Sequence, residues 1–462
     1  MPERFDVVIL GGGSGGYVAA IRAGQLGLRT AVVEADKVGG TCLHRGCIPT
    51  KALLQSAALL DQVREGHRLG VTTGEVTFDY GVAARRRDAV VGQLHKGVEG
   101  LLKKAQASVV RGRGRIEETG RVVVAGETGA DQVELETGHI IVATGSRPRQ
   151  VQGLQSDGSQ VLTSDDALFL DQVPPSAIVL GAGAVGVEFA SFWCSAGSEV
   201  TLVEMAPRLV PLEDEAVGRE LHKQFQGRGI RCLAGTTLDP ASVERNEGGV
   251  AVTVHGEDGE QRLQASVLLV AVGRAGNVED IGLEKAGVAV ERGMITVDGA
   301  QHTNVAGISA AGDCAGGFQL AHKAMHEGVI AVEAIAGRNP HPLDPRLVTR
   351  TTYCTPQIAS LSPSEAGHDV AVGVFPFRGN ARAVVWGETG GFAKVVADKA
   401  SNMVLGVHII GHEVTELIYG PALGALLEST PYEMSRAVAP HPTLSEALAE
   451  AALAVSGEAL HI

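Results

Sequence analysis

The chain has 462 residues, 44% of them hydrophobic, and carries 39 Lys and Arg against 53 Asp and Glu, a formal charge of −14. That length calls for three or four domains, and an acidic surface without a basic run excludes nucleic acid and anionic membrane as partners. Six cysteines in so long a chain do not form a disulfide scaffold, so a reducing, cytoplasmic compartment is expected and any disulfide there is more apt for catalysis than for structure.

The first residues pass from Glu3, Arg4 and Asp6 into an apolar run, Val7 to Leu10, with no signal-peptide pattern expected and no apolar stretch long enough to span a membrane. Phe5 to Leu10 reads as a buried strand. Gly11, Gly13, Ser14 and Gly16 follow in a G-x-G-x-x-G turn, Tyr17 to Ile21 reads as a helix, and a second strand, Thr30 to Val33, ends in Glu34. Strand, glycine turn, helix and trailing acid together predict a dinucleotide site. The first glycine makes the turn, the second lets a pyrophosphate approach, the third lets helix pack on strand, and the acid accepts from a ribose hydroxyl.

Cys42 and Cys47 stand five positions apart between Gly39-Gly40-Thr41 and Pro49-Thr50-Lys51. An ideal helix would separate them by about 7.5 Å of rise, whereas a disulfide needs Cα atoms within roughly 7 Å. A bonded pair therefore requires a distorted turn, for which Gly46 supplies freedom, with a helix beginning near Pro49. On spacing alone, a redox-active dithiol and two unrelated thiols fit equally.

Residues 51 to 105 read as helices, and 107 to 142 as short strands closing on Ala143-Thr144-Gly145. The glycine device then repeats. A strand, Ala177 to Leu180, leads into Gly181, Gly183 and Gly186, a helix through Glu188, and a strand, Val200 to Val203, ending in Glu204. The first glycine and the acid are 23 positions apart in both copies. A carboxylate at Glu204 favours the free 2′-hydroxyl of NAD and repels the 2′-phosphate of NADP, although Arg208 lies nearby. A buried strand from Val267 closes on Gly273, and Ile308 to Asp313 places an acid after a strand and a glycine. After Asn339 to Pro342 the last segment reads as strands at 383 to 398 and 403 to 410, then helices, ending in Pro440-His441-Pro442-Thr443-Leu444-Ser445-Glu446 and an alanine-rich helix. His322, His326, His408 and His412 lack ligand spacing, so no metal is expected.

These motifs, in this order over nearly the whole chain, resemble the pyridine nucleotide–disulfide oxidoreductase family, and within it the branch that oxidises dihydrolipoyl groups. The resemblance implies an α/β fold with two Rossmann-like dinucleotide-binding domains, for FAD (1–145) and NAD (146–272). A central domain (273–343) would complete the FAD site, and an α+β dimerisation domain (344–462) would make a homodimer. It implies that Cys42 exchanges with substrate, that Cys47 faces the flavin, and that Lys51 lies beside the flavin and pairs with Glu188. Thr41, Thr144, Gly145, Gly273, Asp313 and Ala321 would join the two glycine turns in holding cofactor. His441, acting across the dimer, would be the general base, apt because its unperturbed pKa lies near neutrality. Glu446 would orient it, though Thr443 to Glu446 also reads as a capping box.

The implied reaction reoxidises protein-bound dihydrolipoyl groups on the lipoyl domain of an acyltransferase or a glycine-cleavage carrier. A glutathione reductase-like enzyme and a non-catalytic complex subunit or redox sensor are the alternatives. The first would call for basic residues where Glu204 stands. Arg45, His44, Met325 and Ala439 depart from the family pattern. Of these, Arg45 would favour a thiolate if it lay near the sulfurs.

Overall fold

The apolar run at the start forms strand β1 (Glu3–Leu10), which lies inside a parallel sheet and is buried on both faces. Val7 and Ile9 join one core with Ala19, Ala20 and Val32; Phe5, Val8 and Leu10 join another with Ile116, Leu135 and Ile140. This accounts for a continuous rather than alternating apolar pattern. The computed structural model describes residues 3–126, 132–362 and 369–461. The chain divides into two units, one of residues 1–52, 84–149 and 274–343, the other of residues 53–83, 150–273 and 344–462.

In the first unit β1 is followed by helix α1 (Ser14–Gln25) and strand β2 (Thr30–Glu34). Ser108–Arg111, β2, β1 and Gln132–Val142 lie side by side in parallel. Arg121–Ala125 and Arg113–Glu118 extend this sheet in antiparallel fashion, and Ile308–Ala310 adds in parallel against Gln132–Val142. Two helices follow β2 closely: α2 (Gly40–Arg45) and α3 (Cys47–Glu65). The helix Ala321–Ile335 crosses α1 at Gly15 and Gly328, where a Cβ on Gly328 would lie 2.4 Å from the Gly15 carbonyl oxygen. Only glycine permits so close a crossing.

The second unit repeats the parallel device in the strand order Arg231–Leu233, Glu199–Val203, Ser176–Leu180, Val267–Val270, Val161–Leu162. A smaller antiparallel sheet spans residues 237–265 of this unit, and a further antiparallel sheet has five strands in the order Thr349–Thr352, Gln357–Leu361, Val404–Gly411, Phe392–Asp398, Val370–Pro376. The expected strand over 383–398 is corrected at its start, because Ala381–Trp386 is a short helix. Its Val-Val-Trp sequence favours a strand, but the Asn380 side chain caps the helix by accepting from the Ala383 N–H, and Gly387 closes it at φ 76°. Three strands of this sheet, Thr349–Thr352, Gln357–Leu361 and Val370–Pro376, lie in sequence that carried no strand expectation.

Across this antiparallel sheet Arg350, Ser360, His408 and Lys394 are register neighbours. Two buried ion pairs meet the row: Arg350 grips both Glu213 oxygens at 3.0 Å, and Lys394 donates to Asp214 at 2.8 Å. Burial pushes the His408 pKa down to about 4, against the pull of Asp214 and Glu213, and so keeps the ring neutral. Arg350→Met leaves the Glu213 carboxylate buried without its bidentate partner. The expected cost is about 3–5 kcal/mol, read as a lowered urea midpoint with unchanged secondary structure.

Candidate active site

The two cysteines are brought together by a break between two helices. Helix α2 carries Cys42 and stops at Gly46, and α3 begins at Cys47, two residues before the expected start at Pro49. A Cβ on Gly46 would lie 3.1 Å from the Thr41 carbonyl oxygen and 3.5 Å from the Cys42 Cα, so glycine lets the chain fold back beside the first cysteine. Both cysteines are free thiols here, and they hydrogen-bond to each other. That bond, then burial, then the neighbouring Cys47 charge push the Cys42 pKa up; Lys51 and a hydrogen bond with Ser14 work in the opposite direction. Two hydrogen-bonded cysteine sulfurs with no bond between them are the reduced form of a dithiol centre.

Arg45 is engaged at the surface. It pairs with Asp36, both side chains about half exposed, and is not among the leading groups that act on Cys42. His44 likewise turns from the sulfurs: its Nε2 meets the Val38 carbonyl at 3.0 Å, the same oxygen that Nδ1 of His95 meets at 3.1 Å. Exposed pairs of the Arg45–Asp36 kind contribute about 0–1 kcal/mol. Accordingly Arg45→Leu should leave the pH profile of Cys42 alkylation unchanged and turnover within about twofold; a shifted profile would show that the guanidinium reaches the thiols.

The glycine turns are built alike. Gly11 and Gly181 have φ of 101° and 100°, and a Cβ on either would lie 2.3 or 2.5 Å from the carbonyl oxygen of Ala143 or Ala271. On Gly16 or Gly186 a Cβ would lie within 2 Å of the Gly11 or Gly181 carbonyl oxygen. Gly13 and Gly183 precede helices α1 and Ala184–Ser195, neither of which has a side-chain cap. Their first-turn N–H groups are thus left for an anion. Around the middle glycines there is room, with nothing within 4 Å of a Cβ on Gly183 and only the Gly40 Cα, at 3.8 Å, near one on Gly13. Such cradles fit the pyrophosphates of FAD and NAD.

The trailing acids are also matched. Glu34 accepts from the N–H groups of Gly12 (2.7 Å) and Asp36 (2.8 Å), and Glu204 from those of Ala182 (2.6 Å) and Ala206 (2.8 Å). Each carboxylate therefore latches its own glycine turn while lone pairs remain for a ribose hydroxyl. Arg208, the nearby cation, donates to the Pro211 carbonyl instead.

Thr144 and Gly145 are stitched to Asn277 by three hydrogen bonds of 2.6 to 3.0 Å. Asp313 accepts from the Ser146 hydroxyl, which itself accepts from Arg274 Nε at 2.7 Å. Ser146, Arg274 and Asn277 were not singled out in the sequence; Arg274 and Asn277 lie 128 and 133 positions from their partners, and no local signal marks them. Ala321 opens the helix Ala321–Ile335, again without a side-chain cap, and Thr41 lies exposed on α2. In the second unit Gly273 has φ 105°, and the buried Glu188 accepts from the Tyr353 N–H at 2.9 Å.

His441 Nδ1 meets Glu446 Oε1 at 2.8 Å, while Glu446 Oε2 accepts from the Thr443 N–H at 2.9 Å. Glu446 thus divides its two oxygens between the His441 ring and the Thr443 N–H. It is only half a capping box, since the Thr443 hydroxyl donates to Pro440 and the helix begins at Glu446 itself. Burial pushes the Glu446 pKa up, but the His441 ring, the Thr443 N–H and the charges of His441 and His461 outweigh it and hold the carboxyl below its usual range. The His441 ring stands largely exposed, ready to meet a group from outside.

Among the described residues no group of three or more His, Cys, Asp or Glu could hold a metal, and no helix is long and apolar enough to cross a membrane. Residues 5–328 match the pyridine nucleotide-disulphide oxidoreductase family, and residues 348–452 match its dimerisation domain. The chain is 45% identical to the dihydrolipoyl dehydrogenase of Bacillus subtilis over 100% of both chains. It is 43% identical to that of Rhizobium etli, again over 100% of both, and 42% identical to that of Mycobacterium tuberculosis over 97% of both. Among solved structures it resembles LpdA from Mycobacterium tuberculosis, with a TM-score of 0.89 and 30% identity over 97% of this chain and 99% of that one. It also resembles the Cu(II) complex of RclA, a HOCl-induced flavoprotein disulfide reductase from Escherichia coli, with a TM-score of 0.85 and 25% identity over 98% and 99%. The dithiol break, the paired glycine cradles and these full-length matches agree: the chain belongs to the pyridine nucleotide-disulphide oxidoreductase family.

Proposed function

We propose that the chain is an NAD-dependent dihydrolipoyl dehydrogenase, a homodimeric cytoplasmic enzyme that reoxidises dihydrolipoyl groups carried on the lipoyl domain of a 2-oxoacid dehydrogenase complex or a glycine-cleavage carrier. The hydrogen-bonded Cys42–Cys47 pair, set at a helix break beneath a cofactor cradle, carries the reading. In the oxidised chain these sulfurs form a disulfide. His441 of the partner subunit takes the proton of one substrate thiol, and the resulting thiolate attacks Cys42 Sγ. The Cys42–Cys47 bond breaks and Cys47 leaves as a thiolate. The second substrate thiol passes its proton to the departing Cys42 sulfur as its own sulfur attacks the substrate sulfur bonded to Cys42, releasing the lipoyl disulfide and leaving Cys42 as a thiol beside the Cys47 thiolate. The substrate has then lost two electrons and two protons, and the cysteine pair has gained the electrons.

Gly11, Gly13, Ser14, Gly16, Glu34, Thr41, Lys51, Thr144, Gly145, Asp313 and Ala321 would hold FAD; Gly181, Gly183, Gly186, Glu188, Glu204 and Gly273 would serve NAD. When bound, FAD supplies a two-electron acceptor for the reduced pair and NAD carries the electrons away as hydride. Lys51, whose charge acts on Cys42, favours the thiolate form of the pair.

The test compares initial rates with dihydrolipoamide and with reduced glutathione, each with NAD and with NADP. Turnover confined to dihydrolipoamide with NAD is expected. Preference for glutathione with NADP would overturn the reading, and negligible turnover with every pair despite bound FAD would favour a non-catalytic subunit.

A further inference from the structure

Two charged side chains on the helix Ala321–Ile335 are buried against the turn that follows the strand Ile308–Ala310. Lys323 and Glu327 are one helical turn apart, with side chains 9% and 7% exposed and Nζ 2.6 Å from Oε1. Each also holds the turn. Glu327 Oε2 accepts from the Gly312 N–H at 2.8 Å, and Lys323 Nζ donates to the Gly316 carbonyl at 2.8 Å. The pair thus fixes both ends of a segment in which Gly312, Gly316 and Gly317 have φ of 83°, 81° and 68°. Asp313 lies between those ends, its carboxylate held separately by Ser146.

Stability alone is a poor reason for this arrangement, because a buried ion pair can often be replaced by apolar residues at no loss. What apolar residues cannot supply is one acceptor and one donor at opposite ends of a glycine-rich turn. A turn fixed before binding spares the ligand the cost of ordering it.

We propose that Lys323 and Glu327 are positioning residues that preset the Gly312–Gly317 turn so that Asp313 meets FAD without reordering. This rests on the reading of Asp313 as an FAD contact.

The holoenzyme of the double variant Lys323→Met/Glu327→Leu keeps an apolar filling and loses the brace. Its FAD release is followed by the rise of flavin fluorescence after dilution, alongside the flavin absorption spectrum and the thermal unfolding of the chain. Release at least about tenfold faster than the parent is expected at temperatures where the chain stays folded, as for a binding segment that has lost its preorganisation. An altered flavin spectrum should accompany it, and Lys323→Arg should restore most of the parent rate. Parent-like release, or release only in step with unfolding, would overturn the proposal. If the double variant does not fold, Glu327→Met, which removes the acceptor for Gly312 while Lys323 still holds Gly316, is read in the same way. Asp313→Asn is measured in parallel: release at the parent rate there sinks the reading of Asp313, whereas fast release there with parent-like release in the double variant sinks only the brace.

Discussion

Cys47→Ser is expected to form NADH from dihydrolipoamide at least about 10⁴-fold more slowly than the parent, the scale on which losing a catalytic nucleophile acts. Oxygen cannot replace sulfur here, because the step requires a disulfide that opens and closes. Cys42→Ser should fail equally, and the double variant should be no worse than either, since two residues that act as a unit are not additive. The single variants differ in a second measurement. The first cause holding the Cys42 pKa up is its hydrogen bond to Cys47, and the Cys47 charge adds to it. With serine at 47 that charge is gone, so the pH at which Cys42 is alkylated by iodoacetamide should fall. An unchanged alkylation profile would mean that the two sulfurs do not share a proton.

His441→Gln should lower turnover with dihydrolipoamide by about 10²–10⁴-fold, the range for a lost general base, while reduction of a small artificial acceptor by NADH, which needs no substrate thiol deprotonated, stays within about twofold of the parent. Equal losses in both assays would assign His441 a structural role. Glu446→Gln is the graded companion. Its amide oxygen can still accept one hydrogen bond, but it no longer stabilises an imidazolium, so a smaller loss is expected. Because the folded Glu446 pKa lies below its ordinary value, the carboxylate stabilises the fold above the ordinary carboxylate pKa. That contribution disappears as pH falls through the lowered folded value. The parent should therefore keep its dyad through mildly acid pH, and Glu446→Gln should remove this part of the acid dependence of stability.

Both glycine turns were legible because their demands are local. A strand, three glycines, a helix and an acid must follow one another closely, and the clashes a Cβ would cause at Gly11, Gly16, Gly181 and Gly186 are the physical content of that spacing. The dithiol segment was legible as a distorted turn with its freedom at Gly46, though the helix began sooner than Pro49 suggested. What escaped notice depends on distant partners. Nothing near Ser146 in sequence announces Arg274 and Asp313, which reach it from 128 and 167 positions away. The same limit explains Arg45: its charge was visible, but not that Asp36 would claim it. At Val384-Val385-Trp386 the local signal pointed to a strand, and the Asn380 cap and Gly387 overrode it.

The latch formed by Glu204 bears on attempts to change the coenzyme. Reversal of nucleotide preference is commonly sought by trading the acid for a neutral or basic residue. Here that carboxylate also holds the Ala182 and Ala206 N–H groups. Such an exchange would discharge the repulsion and at the same time untie the turn proposed to receive the pyrophosphate. A redesign toward NADP must therefore give those two amides a new acceptor before adding a cation for the phosphate.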